Sequence, residues 1–176
     1  MAKNAYIIPF EATITQVIAK HGYSNLPLWD TEAACGNQIT DQDGSSACVA
    51  RRYILEASLG IDRFIWYAWW LNGGQYFQPL WTPNQGLLPA GQAYVTMSQW
   101  LVGATVQKCT PRNTIWACLI SRDNGYQGEV LWTTGASVNY SVPATYKQFR
   151  DVITNRPQSI RGQAVVLGNK PILIEN

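Results

Sequence analysis

The apolar positions change their period along the chain. Phe10, Ile14, Val17 and Ile18 recur at i, i+4, i+7 and i+8 between Pro9 and Gly22, the stripe of an amphipathic helix with its customary punctuation. This spacing predicts a helix over residues 9–21. Leu26 to Glu32 then reads as a short extended run, with Pro27 tolerable only where a strand begins. After the polar stretch from Gly36 to Gly44, Ser45 or Ser46 can cap a second helix over residues 46–59, with Ala47, Ala50, Ile54 and Ala57 on one face and Gly60 as the stop. Ile61 to Trp70 is dense in aromatic and β-branched residues, the composition of a strand buried on both faces. A Gly/Pro/Asn-rich loop follows from Asn72 to Leu88. Pro89 then opens a third helix, whose Ala90, Ala93, Tyr94, Met97, Trp100 and Leu101 share a face up to Gly103.

Helices and strands alternate from residue 9 to 103, the order from which parallel βα units are built. Beyond that point the pattern becomes short β runs between turn signals: Thr114 to Ser121, Tyr126 to Thr134 after Asp123-Asn-Gly, Val138 to Val142, and Ala164 to Glu175 interrupted by Gly168-Asn-Lys-Pro171. These form a small antiparallel β domain. The expected division is an α/β part over residues 1–104 and a β part over residues 105–176. Charge divides at nearly the same place: residues 1–107 hold five Lys/Arg against seven Asp/Glu, and residues 108–176 hold eight against four. No internal repeat or low-complexity segment is present.

Composition narrows the function classes. With 176 residues, 47% of them apolar, the chain has enough material for a sizeable core and is not disordered. Only 14% of residues are charged and the net charge is +2, so nothing points to a nucleic-acid partner, and no apolar run is long enough to span a membrane. Met1 to Tyr6 carries one Lys with no apolar h-region after it, so it does not read as a signal peptide and localisation stays open. The anomaly is eight Trp, nine Tyr and four Phe, flat apolar surfaces with a polar edge that suit sugar rings as well as cores. Cys35, Cys48, Cys109 and Cys118 lack CxxC spacing and His21 is the one histidine, so neither a metal nor a cofactor is expected. Cys109 and Cys118 flank the turn-like Thr110 to Thr114; a bridge between them and a pair of buried free thiols are both open readings.

Chemistry in parallel α/β architectures sits on the C-terminal ends of strands. Glu32 ends the first strand, and the small residues Ala33 and Ala34 leave space above its carboxylate. The second strand delivers Trp66, Tyr67, Trp69 and Trp70 to the same rim, so a carboxylate and aromatic surfaces converge as sugar recognition requires. Trp66 is expected in the core, as are Trp116 and Trp132 in the β part. Trp81, in the loop after the second strand, is a candidate for a substrate cleft. His21 reads as a surface residue at a helix end. Asp30 shares a strand face with Glu32 at i and i+2 but would lie too deep to reach a leaving group. Glu56 falls mid-helix and Glu129 in the β part, so neither replaces it.

Leu26-Pro-Leu-Trp-Asp-Thr-Glu-Ala-Ala34, the Arg-Arg-Tyr helix, Leu59-Gly-Ile-Asp-Arg-Phe-Ile-Trp-Tyr-Ala-Trp69 and Ala90-Gly-Gln-Ala-Tyr94 before Trp100-Leu-Val-Gly-Ala resemble the C-terminal part of bacterial clan A glycoside hydrolases of a family 39-like type. Ile115-Trp-Ala-Cys, Val130-Leu-Trp and Gly168-Asn-Lys-Pro-Ile-Leu-Ile extend the resemblance across nearly the whole chain. It implies that the two strands are the seventh and eighth of a (β/α)8 barrel, followed by a β-sandwich. It also implies that Glu32 matches the catalytic nucleophile of a retaining enzyme and that Trp69 matches the aromatic floor beneath the sugar, with Tyr67 and Trp81 as further substrate contacts. The partner is then an oligo- or polysaccharide, and the parent enzymes are often secreted or periplasmic.

Retaining hydrolysis uses two carboxyl groups about 5 to 5.5 Å apart, and in this clan the acid/base Glu comes from a fourth strand with no counterpart here. A whole barrel takes about 250 residues. The chain therefore reads as a portion that is inactive alone, completed by an N-terminal half or self-associating through its open edges. The alternative is a non-catalytic carbohydrate-binding or structural module.

Overall fold

The computed structural model describes residues 7–36, 39, 41–70, 79–107 and 109–176, with side chains from Thr13 onward. Helix α1 spans Ile7–Lys20 and turns out through Gly22 at φ 80°, leaving His21 exposed. The side chain of Phe10 lies outside the described residues. Strand β1 spans Trp29–Ala33, starting later than the apolar run predicts. The reason is local: the Leu28 amide donates to Asp62 Oδ2 at 2.8 Å instead of joining a ladder.

Helix α2 runs Gln42–Ser58 and begins earlier than expected, because Asp41 is its cap: the Asp41 carboxylate accepts from the Gly44 amide at 2.6 Å. Ser45 and Ser46, the expected caps, lie inside the helix, where their hydroxyls donate to the carbonyls of Asp41 and Gln42. Strand β2 is only Arg63–Trp66, and Tyr67 to Trp70 leave it at the rim. Residues 72–78 of the expected loop lie outside the described residues. Its remainder makes a hairpin of β3, Trp81–Thr82, and β4, Gly86–Leu87, before α3, Pro89–Leu101.

Strands β1 and β2 form a two-stranded parallel sheet with α2 as the connection. The rest is antiparallel. Strands β5 (Thr105–Val106), β6 (Thr110–Arg112), β7 (Ile115–Ser121), β8 (Gln127–Thr133), β10 (Gln148–Asp151), β11 (Gln158–Ser159) and β13 (Ile172–Glu175) make one sheet in the order β11-β10-β13-β8-β7-β5, with β6 also on β7. Strands β9 (Val138–Ser141) and β12 (Ala164–Leu167) pair as a separate ribbon. The chain is thus mixed α/β with mostly antiparallel strands and few helices. Strands β10 and β11 fall in a stretch where no strand was expected.

The large sheet is covered on both sides, which is why β13 is buried at every position. Val130, Trp132 and Leu173 face α2 and α3, in one core with Val49, Ile54 and Met97. Leu131, Ile172 and Ile174 face the β9–β12 ribbon, packing with Val165 and Leu167. Trp116 and Trp132 stack at 5.6 Å with planes 8° apart. They sit on the helix side of the sheet, against the α/β part, and so weld the two parts together instead of filling the space between sheet and ribbon.

Polar contacts lock the same joint. Arg122 donates to the carbonyls of Val102 at 2.7 Å, Trp100 at 3.0 Å and Gln99 at 3.1 Å, which satisfies the open end of α3. Asn155 accepts from Trp100 Nε1 at 2.8 Å and donates to Gln99 Oε1 at 2.6 Å. On the α2 side Lys170 pairs with Asp43 at 2.9 Å, and Arg51 donates to the Asn169 carbonyl; burial pushes the Arg51 guanidinium down to about 10. Both cysteine pairs are bridged. Cys109–Cys118 crosses from the start of β6 to β7, closing a short loop at a gain of about 2–3 kcal/mol. Cys35–Cys48, which the spacing did not reveal, ties the segment after β1 to α2.

Gly91 marks the tightest packing of α3. A Cβ there would lie 2.2 Å from the Leu80 carbonyl oxygen and 2.6 Å from Leu87 Cδ1. Gly91→Ala is therefore expected to lower stability in urea by about 1–3 kcal/mol, whereas Gly168→Ala, whose Cβ would meet only Ser137 Oγ at 3.9 Å, should stay within about 0.5 kcal/mol of the parent. Equal effects would show that α3 is not packed in this way.

Candidate functional site

The register of β1 decides where its side chains go. Trp29 pairs with Arg63 and Asp30 with Phe64, but the next pair is Ala33 with Trp66, so Thr31 and Glu32 together oppose Ile65. This is a one-residue β-bulge. Asp30, Ala33, Phe64 and Trp66 are half-buried or buried on the side of the helices, while Trp29, Thr31, Glu32, Ile65 and Tyr67 are all exposed. A regular strand would place Glu32 beside Asp30, as i and i+2 side chains do. The extra residue moves Glu32 to the opposite, open face. The expected sharing of one face by Asp30 and Glu32 is therefore corrected.

Asp30 has a different task. Its Oδ2 pairs with Arg52 Nη2 of α2 at 2.8 Å, and Arg52 Nε lies 2.9 Å from Glu56 Oε1 on the next turn. The Arg52 guanidinium also lies over the Phe64 ring at 5.6 Å. Glu56 is fully buried, so this triad is an ionic pin between β1 and α2 directly beneath the bulge. Glu129, in the β part, is half-buried, and burial pushes its carboxyl up despite the nearby Arg112.

The aromatic residues gather at the C-terminal rim of the parallel pair. Tyr67 N–H donates to the Ala33 carbonyl at 2.9 Å, which holds Tyr67 against the end of β1, one step past the Ala33–Trp66 pair. Trp69 is half exposed and meets Tyr94 of α3 in a T-shaped contact at 6.4 Å; its carbonyl accepts from the Leu80 and Trp81 amides at 3.0 and 3.1 Å. Trp81 is half-buried and stands edge-on to Trp70 at 6.1 Å. Glu32, Tyr67 and Trp69 thus lie at one end of one sheet, and Trp81 joins them through the hairpin that folds onto Trp69. Trp66, by contrast, is buried with the helices.

Two features of this face had no sequence signal. Trp29 is half exposed at the other end of β1, with the Arg63 guanidinium 4.2 Å above its ring. An open groove of about 470 Å³ runs along the β1 edge beside α1, lined from both faces of the strand by Ile14, Trp29, Asp30, Thr31, Glu32 and Arg52 among others, and not by Tyr67 or Trp69.

No protein-family model matches the chain, and no curated protein matches it. Solved structures do. The fold is similar to that of a family 39 glycoside hydrolase from the gut symbiont Bacteroides cellulosilyticus WH2, with a TM-score of 0.66 and 16% identity over 85% of this chain and 33% of that one. It is also similar to the catalytic domain of a family 30 xylanase C from Talaromyces cellulolyticus, with a TM-score of 0.50 and 12% identity over 92% of this chain and 48% of that one. The chain has a glycoside hydrolase-like fold, and it spans between a third and a half of the length of these relatives.

The triad beneath the bulge gives a direct test. Arg52→Met leaves the buried Glu56 without that cation and is expected to cost about 3–5 kcal/mol in urea denaturation. Combining it with Asp30→Leu and Glu56→Leu should recover most of the loss, since a buried ionic triad contributes little net stability. Additive losses would mean that the three do not act as a unit.

Proposed function

We propose that this chain is the portion of a retaining glycoside hydrolase that carries the nucleophile and part of the sugar platform: the last two βα units of a (β/α)8 barrel, followed by a β-sandwich. The observation that supports the reading is the bulge, which turns Glu32 to the open face near the C-terminal end of β1, the same end of the sheet past which Tyr67 and Trp69 follow β2. A nucleophile must reach the anomeric carbon from a strand end, and a bulge next to a reacting group is a common way to aim one.

In this mechanism the Glu32 carboxylate attacks the anomeric carbon while the glycosidic C–O bond breaks and the leaving oxygen takes a proton from a second carboxylic acid. Water, deprotonated by that second group, then cleaves the glycosyl ester and frees Glu32. Trp69 offers a flat surface under the reacting ring, Tyr67 a hydroxyl at its edge, and Trp81 a wall farther along the cleft. The second acid must stand about 5 to 5.5 Å from Glu32. Asp30 does not supply it, because it is bound to Arg52 on the other side of the sheet.

The second reading, a non-catalytic carbohydrate-binding module, draws on the same exposed aromatics without the acid. The two are separated by chemistry. The chain alone is expected to bind oligosaccharide weakly, with Trp69→Ala weakening binding about tenfold, a loss near 1.4 kcal/mol, and to turn over no aryl glycoside. Turnover abolished by Glu32→Gln would show that the chain carries its own acid. Absence of binding across gluco-, xylo-, manno- and galacto-oligosaccharides in calorimetry would remove both readings.

A further inference from the structure

Cys48, Arg52 and Glu56 recur at i, i+4 and i+8 along α2, one stripe of a helix. Two members of the stripe reach the chain on either side of the bulge. Arg52 pairs with Asp30, just before Thr31, and Cys48 is bridged to Cys35, just beyond Ala34. Helix α2 therefore grips the length of chain that bears Glu32 at two points, one ionic and one covalent. Thiols leave the ionic point untouched and can open the covalent one.

The two disulfides differ in how far a thiol can reach them and in what else holds their ends. Cys109 and Cys118 are 3% and 0% exposed, and they join β6 to β7 where the Thr110–Ala117 pair already holds the strands together. That bridge is sealed, and a ladder duplicates it. Cys35 is only half-buried, and β1 has ended at Ala33 before the chain reaches it. The last cross-strand bond at that end runs from the Tyr67 amide to the Ala33 carbonyl, and the next regular structure starts at the Asp41 cap of α2. The Cys35–Cys48 bond lies in the interval between them, where among the described residues no ladder duplicates it.

We propose that Cys35–Cys48 is a redox clamp on the proposed catalytic carboxylate. Oxidised, it holds the end of β1 against α2; reduced, it frees the segment after Ala33 and the start of α2, and Glu32 loses its downstream hold while Asp30 keeps the upstream one. The reductant is a dithiol. One of its thiolates attacks the Cys35 sulfur, the Cys35–Cys48 bond breaks, and the Cys48 sulfur leaves with the electron pair and takes up a proton. The second thiolate attacks its own partner sulfur in the mixed disulfide, and Cys35 leaves as a thiolate that is protonated in turn. The protein gains two electrons and two protons, and the dithiol becomes a disulfide. That the clamp regulates a sugar site rests on the reading of Glu32 as nucleophile, whereas the clamp itself rests on the place of the bridge.

The test titrates the folded chain with dithiothreitol, traps free thiols with iodoacetamide, and reads amide exchange in each state. Alkylation is expected on Cys35 and Cys48 while Cys109 and Cys118 stay bridged. In that state the Ser45 and Tyr67 amides, bonded to the carbonyls of Asp41 and Ala33, should exchange at least about tenfold faster. The Asp62 amide, bonded to Leu28 before the other end of β1, and the amides of β7 and β8 should stay within about twofold of their rates in the oxidised chain. Opening of both bridges together, resistance of both, unchanged exchange once Cys35 and Cys48 are reduced, or faster exchange throughout the chain would each overturn the proposal. For the site itself, dinitrophenyl fluoro-glycosides of glucose, xylose and galactose, whose leaving group departs without an acid, should label Glu32 at least about tenfold more slowly in the reduced state. Equal labelling in both states would overturn the regulation. Labelling of Glu32 in neither state, with the exchange response intact, would instead remove the reading of Glu32 and leave the clamp standing.

Discussion

The functional reading hangs on a single backbone irregularity, the extra residue that sets Thr31 and Glu32 together against Ile65. In a strand the side-chain period is two, so one inserted residue transfers everything after it to the other face. Upstream of the bulge Asp30 faces α2; within it Thr31 and Glu32 both face open space, and past it Ala33 returns to the helix side. The bulge is held by interactions on both sides. The Asp30–Arg52–Glu56 pin fixes the strand before it, and the Tyr67 amide bonded to the Ala33 carbonyl fixes the strand after it. The Cys35–Cys48 bridge then ties the following segment back to α2, so the carboxylate stands on a short length of chain anchored at both ends.

That anchoring would mean little if α2 and α3 were themselves loose. Their hydrophobic faces are closed by the large antiparallel sheet, where the stacked Trp116 and Trp132 meet Ile54 and Met97 in a single core. Arg122 and Asn155 fix α3 by its C-terminal end, and Lys170 reaches α2 near its N-terminal end. The β part therefore acts as a buttress for the helix layer. It substitutes on one side for the support that a two-stranded parallel sheet lacks on the other.

The elements legible in the sequence are those with strong local chemistry. Helix α3 lies between Pro89 and Gly103 as read, and β7, β8 and β9 follow their apolar runs. The cap of α2 was misplaced because Ser45 and Ser46 look like caps. Asp41, with Gly44 three residues on, competes better: a carboxylate accepting from that amide stabilises the helix start more than a hydroxyl does. Strands β10 and β11 are short, mostly polar runs, and β10 is set by its pairing with β13 more than twenty residues on, so they leave no alternation to read. The bulge is invisible for the same reason. Trp-Asp-Thr-Glu-Ala alternates as a regular strand would, and only the pairing with Arg63 to Trp66 shows the extra residue. The place of Glu32, Tyr67 and Trp69 at the strand ends could be read from the sequence, whereas the separation of Asp30 from Glu32 could not.

The exposed aromatics answer to two demands, which the geometry separates along the strands. Trp29 lies at the entry of β1, where Arg63 covers one face of its ring. A guanidinium over an indole relieves part of the exposure without closing the surface, which fits a residue awaiting burial against other side chains. Trp69 lies past the exit of β2, its backbone held by two amides from the β3–β4 hairpin and its ring in a T-shaped contact with Tyr94. Such a contact fixes a ring while leaving flat aromatic surface uncovered. A ring that is held but uncovered suits a platform for a reversible, flat ligand, whereas a ring with a guanidinium over one face already has part of its surface taken. By this criterion the exit end of the sheet, and not its entry, is the end that suits the proposed sugar platform, with Glu32 near that end.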